Sequence, residues 1–160
     1  MLGLMQEAQL LTSATLAHAA RVYPHAEIAT ADDGRVIHRT TYAKADARAR
    51  KLASALERLG LAGEDVFLGA LAWNTWRLFE IMHAVPGAGG MLHTANPRLH
   101  ESHLAYTVNH CGDRAVFVDR DCLPLAEAIA PACPSVAHWV VLADREAMPE
   151  TSLPGVLCYE

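Results

Sequence analysis

The arrangement of apolar and polar residues between positions 66 and 99 predicts a strand, a helix and a second strand. Val66–Ala72 and Met91–His93 are continuous apolar runs. Between them, the polar pair Asn74-Thr75 precedes a helical pattern that ends at the glycine-rich segment 87–90. About thirty residues of this kind are the minimum for a parallel crossover. Because parallel strands are covered on both faces and form unbroken apolar runs, we expect this stretch at the centre of a parallel sheet.

A helix and a hairpin are predicted ahead of this stretch. Thr12 or Ser13 is placed to cap a helix that runs to about Tyr23. Two short β-type runs then flank an Asp-Gly pair, which is a strong signal for a hairpin turn. These runs are Glu27–Ala31 and Arg35–Arg39.

The clearest helical pattern lies between the hairpin and residue 60. Thr41 is predicted to cap this helix, and Gly60 stands where a left-handed residue after a helix belongs. Asp46 and Arg50 are four residues apart, so we expect them to pair on the solvent-exposed side.

The rest of the chain continues the alternation of helices and strands. The further elements predicted are a helix at Glu101–His110, a strand at Arg114–Asp119, a helix at Cys122–Ala130 and a strand at Val136–Leu142. From about residue 66 the order is therefore βαβαβαβ. This order indicates an α/β fold, a parallel sheet with helices on both faces, preceded by a helix, a β-hairpin and a second helix.

The chain is expected to form one domain with three parts. Residues 1–65 supply wrapping helices and the hairpin, 66–142 the parallel sheet core, and 143–160 a turn-rich end. A length of 160 residues with 52% hydrophobic residues suits a single packed core. Because the turn-rich end leads into Leu157–Glu160 as if another element began there, we expect a truncated, incomplete domain.

Composition argues against several classes of protein. The net charge is −5 with both signs interspersed, so no basic stripe is available for nucleic acid. The amino terminus lacks the pattern of a signal peptide, and no apolar run approaches the ~20 residues of a transmembrane segment. The four cysteines form no C-x-x-C pair, so free thiols are expected. Together these features predict a soluble, cytoplasmic protein.

The segment Pro86–Gly90 invites comparison with a phosphate-binding loop. Such a loop lies between a strand and the helix after it, so that the helix N–H groups face the anion. This segment instead follows a predicted helix and precedes a strand, and it lacks the G-x-x-x-x-G-K-[ST] lysine. We therefore interpret it as a helix C-cap with a tight turn.

Histidines crowd one predicted helix, which holds or adjoins His100, His103 and His110. Zinc-binding helices use H-E-x-x-H, with the histidines four residues apart, and this segment does not. Structural histidines are therefore favoured over a metal site.

Acidic residues flank the strand predicted at 114–119, namely Asp113, Asp119 and Asp121. Response-regulator receiver domains place a similar cluster at a strand end. A receiver would also need a lysine after a later strand, and no lysine follows Lys51. We therefore set this interpretation aside.

Polar and aromatic residues follow the two strands of the central stretch, at the sheet edge where open parallel sheets bind ligands. Trp73 and Asn74 come after the first strand, and Asn96, Pro97 and Arg98 come after the second. These five are candidates for a substrate pocket or for structural loops. In the structural interpretation Asn74 or Thr75 caps the next helix, and Arg98 pairs with a carboxylate rather than with an anionic ligand.

At these residues the sequence resembles the amino-terminal part of the AMP-forming acyl-CoA synthetases, in particular bacterial medium- and long-chain fatty acyl-CoA ligases. The matching segments occur in the family's order and cover nearly the whole chain. They are MLGLMQ, IHRTTYAKADARARKLASALERLG, LAWNTWR, MLHTANPRL, HLAYTVNHCGDRAVFVD and VVLADREAMP.

The resemblance implies a two-step reaction with ATP, Mg²⁺ and coenzyme A as cofactors. A fatty acid or other small carboxylate forms an acyl-adenylate and pyrophosphate, and the coenzyme A thiol then displaces AMP. The family's phosphate loop, Mg²⁺ glutamate and catalytic lysine have no counterpart here, since Lys44 and Lys51 both lie in one early helix. We therefore expect no catalytic, cofactor-binding or metal residue in this segment, and a chain that is inactive alone.

A second hypothesis is a stand-alone module that keeps the fold without the chemistry. Such a module would bind acyl groups or assemble as a homodimer. A third hypothesis, a metal- or phosphate-binding enzyme in its own right, rests only on the histidines and glycines discussed above.

Overall fold

The computed structural model describes Gly3, Leu4, Glu7 and residues 11–160, and the matching segment MLGLMQ lies mostly outside these residues. Five helices and seven strands follow one another in this part of the chain. They are α1 (Thr12–Val22), β1 (Glu27–Asp32), β2 (Arg35–Thr41), α2 (Tyr42–Arg58), β3 (Phe67–Leu71), α3 (Trp76–Gly87), β4 (Met91–Ala95), α4 (Glu101–Cys111), β5 (Ala115–Val118), α5 (Leu123–Ile129), β6 (His138–Val141) and β7 (Val156–Cys158).

Five strands form one parallel sheet in the order β4-β3-β5-β6-β7, which confirms the predicted α/β class. The expectation that the whole stretch 66–99 lies at the centre is wrong for β4. Since β5 pairs with the other side of β3, β4 becomes an edge strand and its residues are only partly buried. β7 was not predicted; it pairs in parallel with β6 from Trp139–Val156 onward.

Helices cover both faces of the sheet, as predicted. Alternate residues of β5 separate the two layers, because successive strand side chains point to opposite faces. Val116 and Val118 pack with α4 and α5, whereas Ala115 and Phe117 pack with α2 and α3. The apolar run of β5 is therefore fully buried.

The hairpin and α2 form as predicted. Asp33 and Gly34 both have positive φ, at 44° and 73°, which the tight turn between β1 and β2 requires. The Thr41 hydroxyl accepts a 3.4 Å hydrogen bond from the backbone N–H of Lys44 at the start of α2. Gly60 follows α2 in the left-handed conformation, with φ of 68°.

The predicted cap of α1 is wrong, and the predicted cap of α3 is correct in position only. The residue before α1 is Leu11, so Thr12 and Ser13 lie inside the helix instead of capping it. Thr75 precedes α3, but its hydroxyl is buried and makes no capping hydrogen bond. Among the described residues, no helix is long and apolar enough to cross a membrane.

Candidate functional site

The order of the strands places a switch point between β3 and β5. The chain leaves β3 for β4 on one side, and then returns to form β5 on the other side of β3. In open parallel sheets ligands bind at the carboxyl ends of the strands beside such a reversal. Trp73 follows β3 and Asp119 follows β5, so these two residues border the switch point.

A hydrogen bond joins the two sides of the switch point. The backbone N–H of Trp73 donates to Oδ2 of Asp119 at 2.7 Å. Burial raises the pKa of the Asp119 carboxyl, and the hydrogen bond from Trp73 opposes this effect. The exposed ring of Trp73 stands beside this contact.

Arg98 lies over the ring of Trp73. Its guanidinium carbon is 5.5 Å from the ring centroid, at the distance of a cation–π interaction. The backbone N–H of Arg98 donates to Oδ1 of Asn96 at 3.0 Å, so Asn96 and Pro97 shape the turn that presents Arg98. We call Trp73, Asn96, Arg98 and Asp119 the switch-point cluster.

The structure brings four of the five predicted site residues to this edge and separates the fifth. Asn74 instead lines a groove of about 270 Å³ between β1 and α3, beside Thr75 and Met82. Arg98 contacts Trp73 rather than the carboxylate that was expected, and it forms no ion pair within the described residues. Asp119 was recognised in the sequence as part of an acidic group, but not as the partner of Trp73.

A network of charged side chains around the buried residues Arg77 and Glu80 lies beside the cluster, at the ends of β6 and β7. The guanidinium of Arg77 donates to the Leu142 carbonyl at 3.3 Å, to Asp144 at 2.6 Å and to Glu160 at 3.1 Å. It also lies 4.5 Å from the ring centroid of Trp76. Arg77, on α3, therefore connects the ends of β6 and β7 to this helix.

Glu80 is the second centre of this network and its side chain is only 1% exposed. It accepts hydrogen bonds from Arg48 Nε at 2.7 Å and from the Tyr159 hydroxyl at 2.8 Å. Arg48 also binds the Glu160 carboxylate through two nitrogens, at 2.8 and 3.0 Å. Sequence reasoning missed this network because its members are 32 to 112 residues apart.

The predicted histidine group does not converge on one point. His100 precedes α4 and accepts a hydrogen bond from the Ser102 backbone N–H. The ring of His103 is 6.4 Å from that of His100, and His110 stacks on Tyr106 at 5.5 Å. These contacts agree with the structural interpretation of the three histidines.

A different group of possible metal ligands comes together between β4 and the residues just before β5. The ligand atoms of His93, Cys111 and Asp113 lie within 4.8 Å of one another. Within the described residues, this is the one group of three or more such side chains placed so that they could hold a metal ion. Asp113 precedes β5 and Asp119 follows it, so the predicted acidic group is divided between opposite ends of the strand.

Comparison with known proteins decides the family. The model of the AMP-binding enzyme family matches residues 16–156. The chain belongs to this family of AMP-binding enzymes.

Curated relatives include CoA ligases that match the entire chain. The chain is 39% identical over 160 residues to a 3-methylmercaptopropionyl-CoA ligase of Ruegeria lacuscaerulensis. It is 36% identical over 160 residues to a medium-chain-fatty-acid–CoA ligase of Ectopseudomonas oleovorans. It spans 30% and 29% of these two relatives.

A solved structure shares the fold. The amino-terminal domain of FACL13 from Mycobacterium tuberculosis superposes with a TM-score of 0.75 at 22% identity. The match covers 89% of this chain and 38% of that domain.

The AMP-binding ligase family uses ATP, Mg²⁺ and coenzyme A, and the described residues do not fit a nucleotide site. Gly89 has φ of 82° in the turn between α3 and β4, which is the helix-to-strand geometry predicted for segment 86–90. Lys44 and Lys51 are both exposed on α2 and belong to no strand-to-helix loop. Among the residues that the structure describes, no helix N-terminus therefore cradles a triphosphate with a lysine beside it.

Proposed function

We propose that this chain is the amino-terminal part of a fatty acyl-CoA ligase. The complete enzyme joins a fatty acid to AMP with release of pyrophosphate, and then transfers the acyl group to coenzyme A. One observation carries the proposal: the family model spans residues 16–156 while the chain corresponds to about 30% of the curated ligases.

The chain is proposed to be catalytically inactive alone. Adenylate formation needs cations positioned against the charge that develops on the phosphates. The arginines of the buried network are already paired with carboxylates: Arg77 with Asp144 and Glu160, and Arg48 with Glu80 and Glu160. The remaining part of the enzyme is therefore proposed to supply the phosphate loop, the Mg²⁺ ligand and the catalytic lysine.

The switch-point cluster is proposed to border the acyl-binding region of the complete enzyme. The exposed ring of Trp73 and the guanidinium of Arg98 lie at the sheet edge where ligands of open parallel sheets bind. Trp73 offers an apolar surface, and Arg98 offers a positive charge without a carboxylate partner in the described part of the chain.

A chimera tests the proposal. The chain would replace the matching amino-terminal segment of the Ectopseudomonas oleovorans ligase, to which it is 36% identical over 160 residues. The measurement is ATP–pyrophosphate exchange that depends on octanoate, for the chimera and for the purified chain. We expect exchange by the chimera and none by the chain.

Each part of the proposal has its own contradicting result. A folded chimera without exchange would contradict the assignment to a ligase. Exchange by the chain alone would contradict its inactivity. A discrete dimer in sedimentation, with saturable binding of fatty acid, would favour the stand-alone module, for which the exposed apolar pair Val36 and Ile37 on β2 offers a surface.

A further inference from the structure

Three possible metal ligands of different chemistry converge between β4, the end of α4 and the start of β5. His93 offers an imidazole nitrogen, Cys111 a sulfur and Asp113 a carboxylate oxygen, all within 4.8 Å of one another. Nitrogen, sulfur and oxygen together are a donor set that Zn²⁺ accepts.

The end of α4 holds two of these residues in place. Cys111 is the last residue of the helix, and Gly112 follows with φ of 72°. The backbone N–H of Asp113 then donates to the Val108 carbonyl at 3.1 Å, which completes a Schellman motif. The backbone positions of Cys111 and Asp113 are therefore set by the helix end rather than by a flexible loop.

The third residue reaches the group because a neighbouring position has no side chain. His93 on β4 is paired with Gly69 on β3. A Cβ at Gly69 would lie 2.7 Å from Oδ2 of Asp113, so only glycine leaves room for the carboxylate beside His93. His93 Nδ1 lies 2.9 Å from this same oxygen.

The Asp113 carboxylate has an unused coordination position. The residue is 0% exposed, yet its Oδ1 atom has no hydrogen-bond partner. Leaving a buried polar atom without a partner costs about 1–3 kcal/mol, and more for a charged group. A bound cation would satisfy this oxygen, whereas the contact with His93 satisfies only the other one.

We propose that His93, Cys111 and Asp113 bind a divalent transition-metal ion, with Zn²⁺ as the reference. Tetrahedral Zn²⁺ with these ligand types places its donor atoms about 3.3–3.7 Å apart, so small side-chain shifts bring the three ligand atoms to coordination distance. The remaining coordination position is taken by water. This function is independent of the ligase assignment.

Binding requires the loss of protons. The Cys111 thiol becomes a thiolate as its bond to the metal forms, and a protonated His93 also gives up its proton to the solvent. Burial raises the pKa of Cys111, and the hydrogen bond to Asp113 raises that of His93. Because these protons are released, the affinity is expected to rise with pH.

Titration of the metal-stripped 160-residue chain with Co²⁺ tests the site, followed by competition with Zn²⁺. We expect one Co²⁺ per chain, with a thiolate-to-cobalt absorption band in the near ultraviolet that Zn²⁺ removes. Cys111→Ser should abolish that band. His93→Gln should weaken binding at least ~10-fold, and Gly69→Ala, which displaces the Asp113 carboxylate without removing it, should do the same.

Two matched variants control for adventitious binding. Cys158→Ser removes another partly exposed thiol, and His103→Ala removes an exposed histidine of α4; neither should change the titration. Circular dichroism identifies variants that fail to fold. If Gly69→Ala does not fold, the test depends on Cys111→Ser, which changes a partly exposed position. Absence of stoichiometric binding to folded wild-type chain, or an unchanged thiolate band in Cys111→Ser, would overturn the proposal.

Discussion

The backbone N–H of Trp73 donates a 2.7 Å hydrogen bond to Oδ2 of Asp119 across the switch point of the sheet. The bond joins the segments that follow β3 and β5, two strands that pair directly with each other. Because Asp119 is partly buried, its negative charge loses hydration, which costs free energy. An uncharged oxygen could accept the hydrogen bond from Trp73 without this cost.

Replacing Asp119 with Asn should therefore stabilise the chain more at neutral than at acidic pH. The pKa of Asp119 in the folded chain is raised above its usual 3.8. The protonated carboxyl therefore favours folding, and its contribution is complete below pH 3.8. This stabilisation is lost as the pH rises through the raised pKa, whereas an amide has no charge to bury and still accepts from Trp73. Urea unfolding between pH 3.5 and 7 measures the difference.

Asp121→Asn is the control, since this neighbouring carboxylate is exposed. Its effect on the free energy of unfolding should stay within about 0.5 kcal/mol at each pH. A difference between Asp119→Asn and wild type that does not grow with pH would contradict the argument from burial.

The Glu80→Ala substitution should destabilise the chain by about 2–4 kcal/mol. Removal of this buried carboxylate leaves Arg48 Nε and the Tyr159 hydroxyl without their acceptor. Glu27→Ala is a matched control, because Glu27 forms a 2.7 Å ion pair with Arg39 in which both side chains are more than half exposed. Its effect should stay below about 1 kcal/mol. Equal effects of the two substitutions in urea unfolding would contradict a stabilising role for the network.

Much of the fold could be predicted because its signals are local. The apolar runs of β3 and β5, the Asp33-Gly34 turn and the cap at Thr41 each depend on residues close in sequence. The position of β4 at the sheet edge depends instead on where β5 pairs, and a run of apolar residues does not encode that choice. β7 has only three residues, which is too short for a periodic pattern.

The site could be predicted only in part for the same reason. The strand-end rule found Trp73 and Arg98 because it uses only the ends of predicted strands. The pairing of Trp73 with Asp119 spans 46 residues and that of His93 with Asp113 spans 20, so both depend on strand register. Nothing in the spacing of His93, Cys111 and Asp113 matches a known ligand motif, although the sequence did single out Asp113 as an acidic residue beside a predicted strand.

The Gly155→Ala substitution should destabilise the chain more than Gly34→Ala. Both glycines have positive φ, 58° and 73°, so both substitutions carry the strain of that conformation, about 1 kcal/mol. A Cβ at Gly155 would also overlap the carbonyl oxygen of Ala137, whereas one at Gly34 meets nothing within 4 Å. The extra cost should be about 1–3 kcal/mol, because β7 must move away from β6. Similar unfolding free energies for the two variants would show that β7 is not held at this position.

The stabilising contribution of His93 should decrease as the pH rises. The hydrogen bond to Asp113 raises the pKa of His93 above its usual 6.5, against the opposing effect of burial. A raised pKa means that the protonated form favours folding; its contribution is complete below pH 6.5 and is lost as the pH rises through the pKa of the folded state. In the presence of a chelator, the loss of stability in His93→Gln should therefore be larger at pH 6 than at pH 9. His103→Gln, at an exposed position of α4, serves as the control for a histidine without a carboxylate partner among the described residues. A His93→Gln effect that is the same at both pH values would mean that the contact with Asp113 does not depend on the charge of the imidazole.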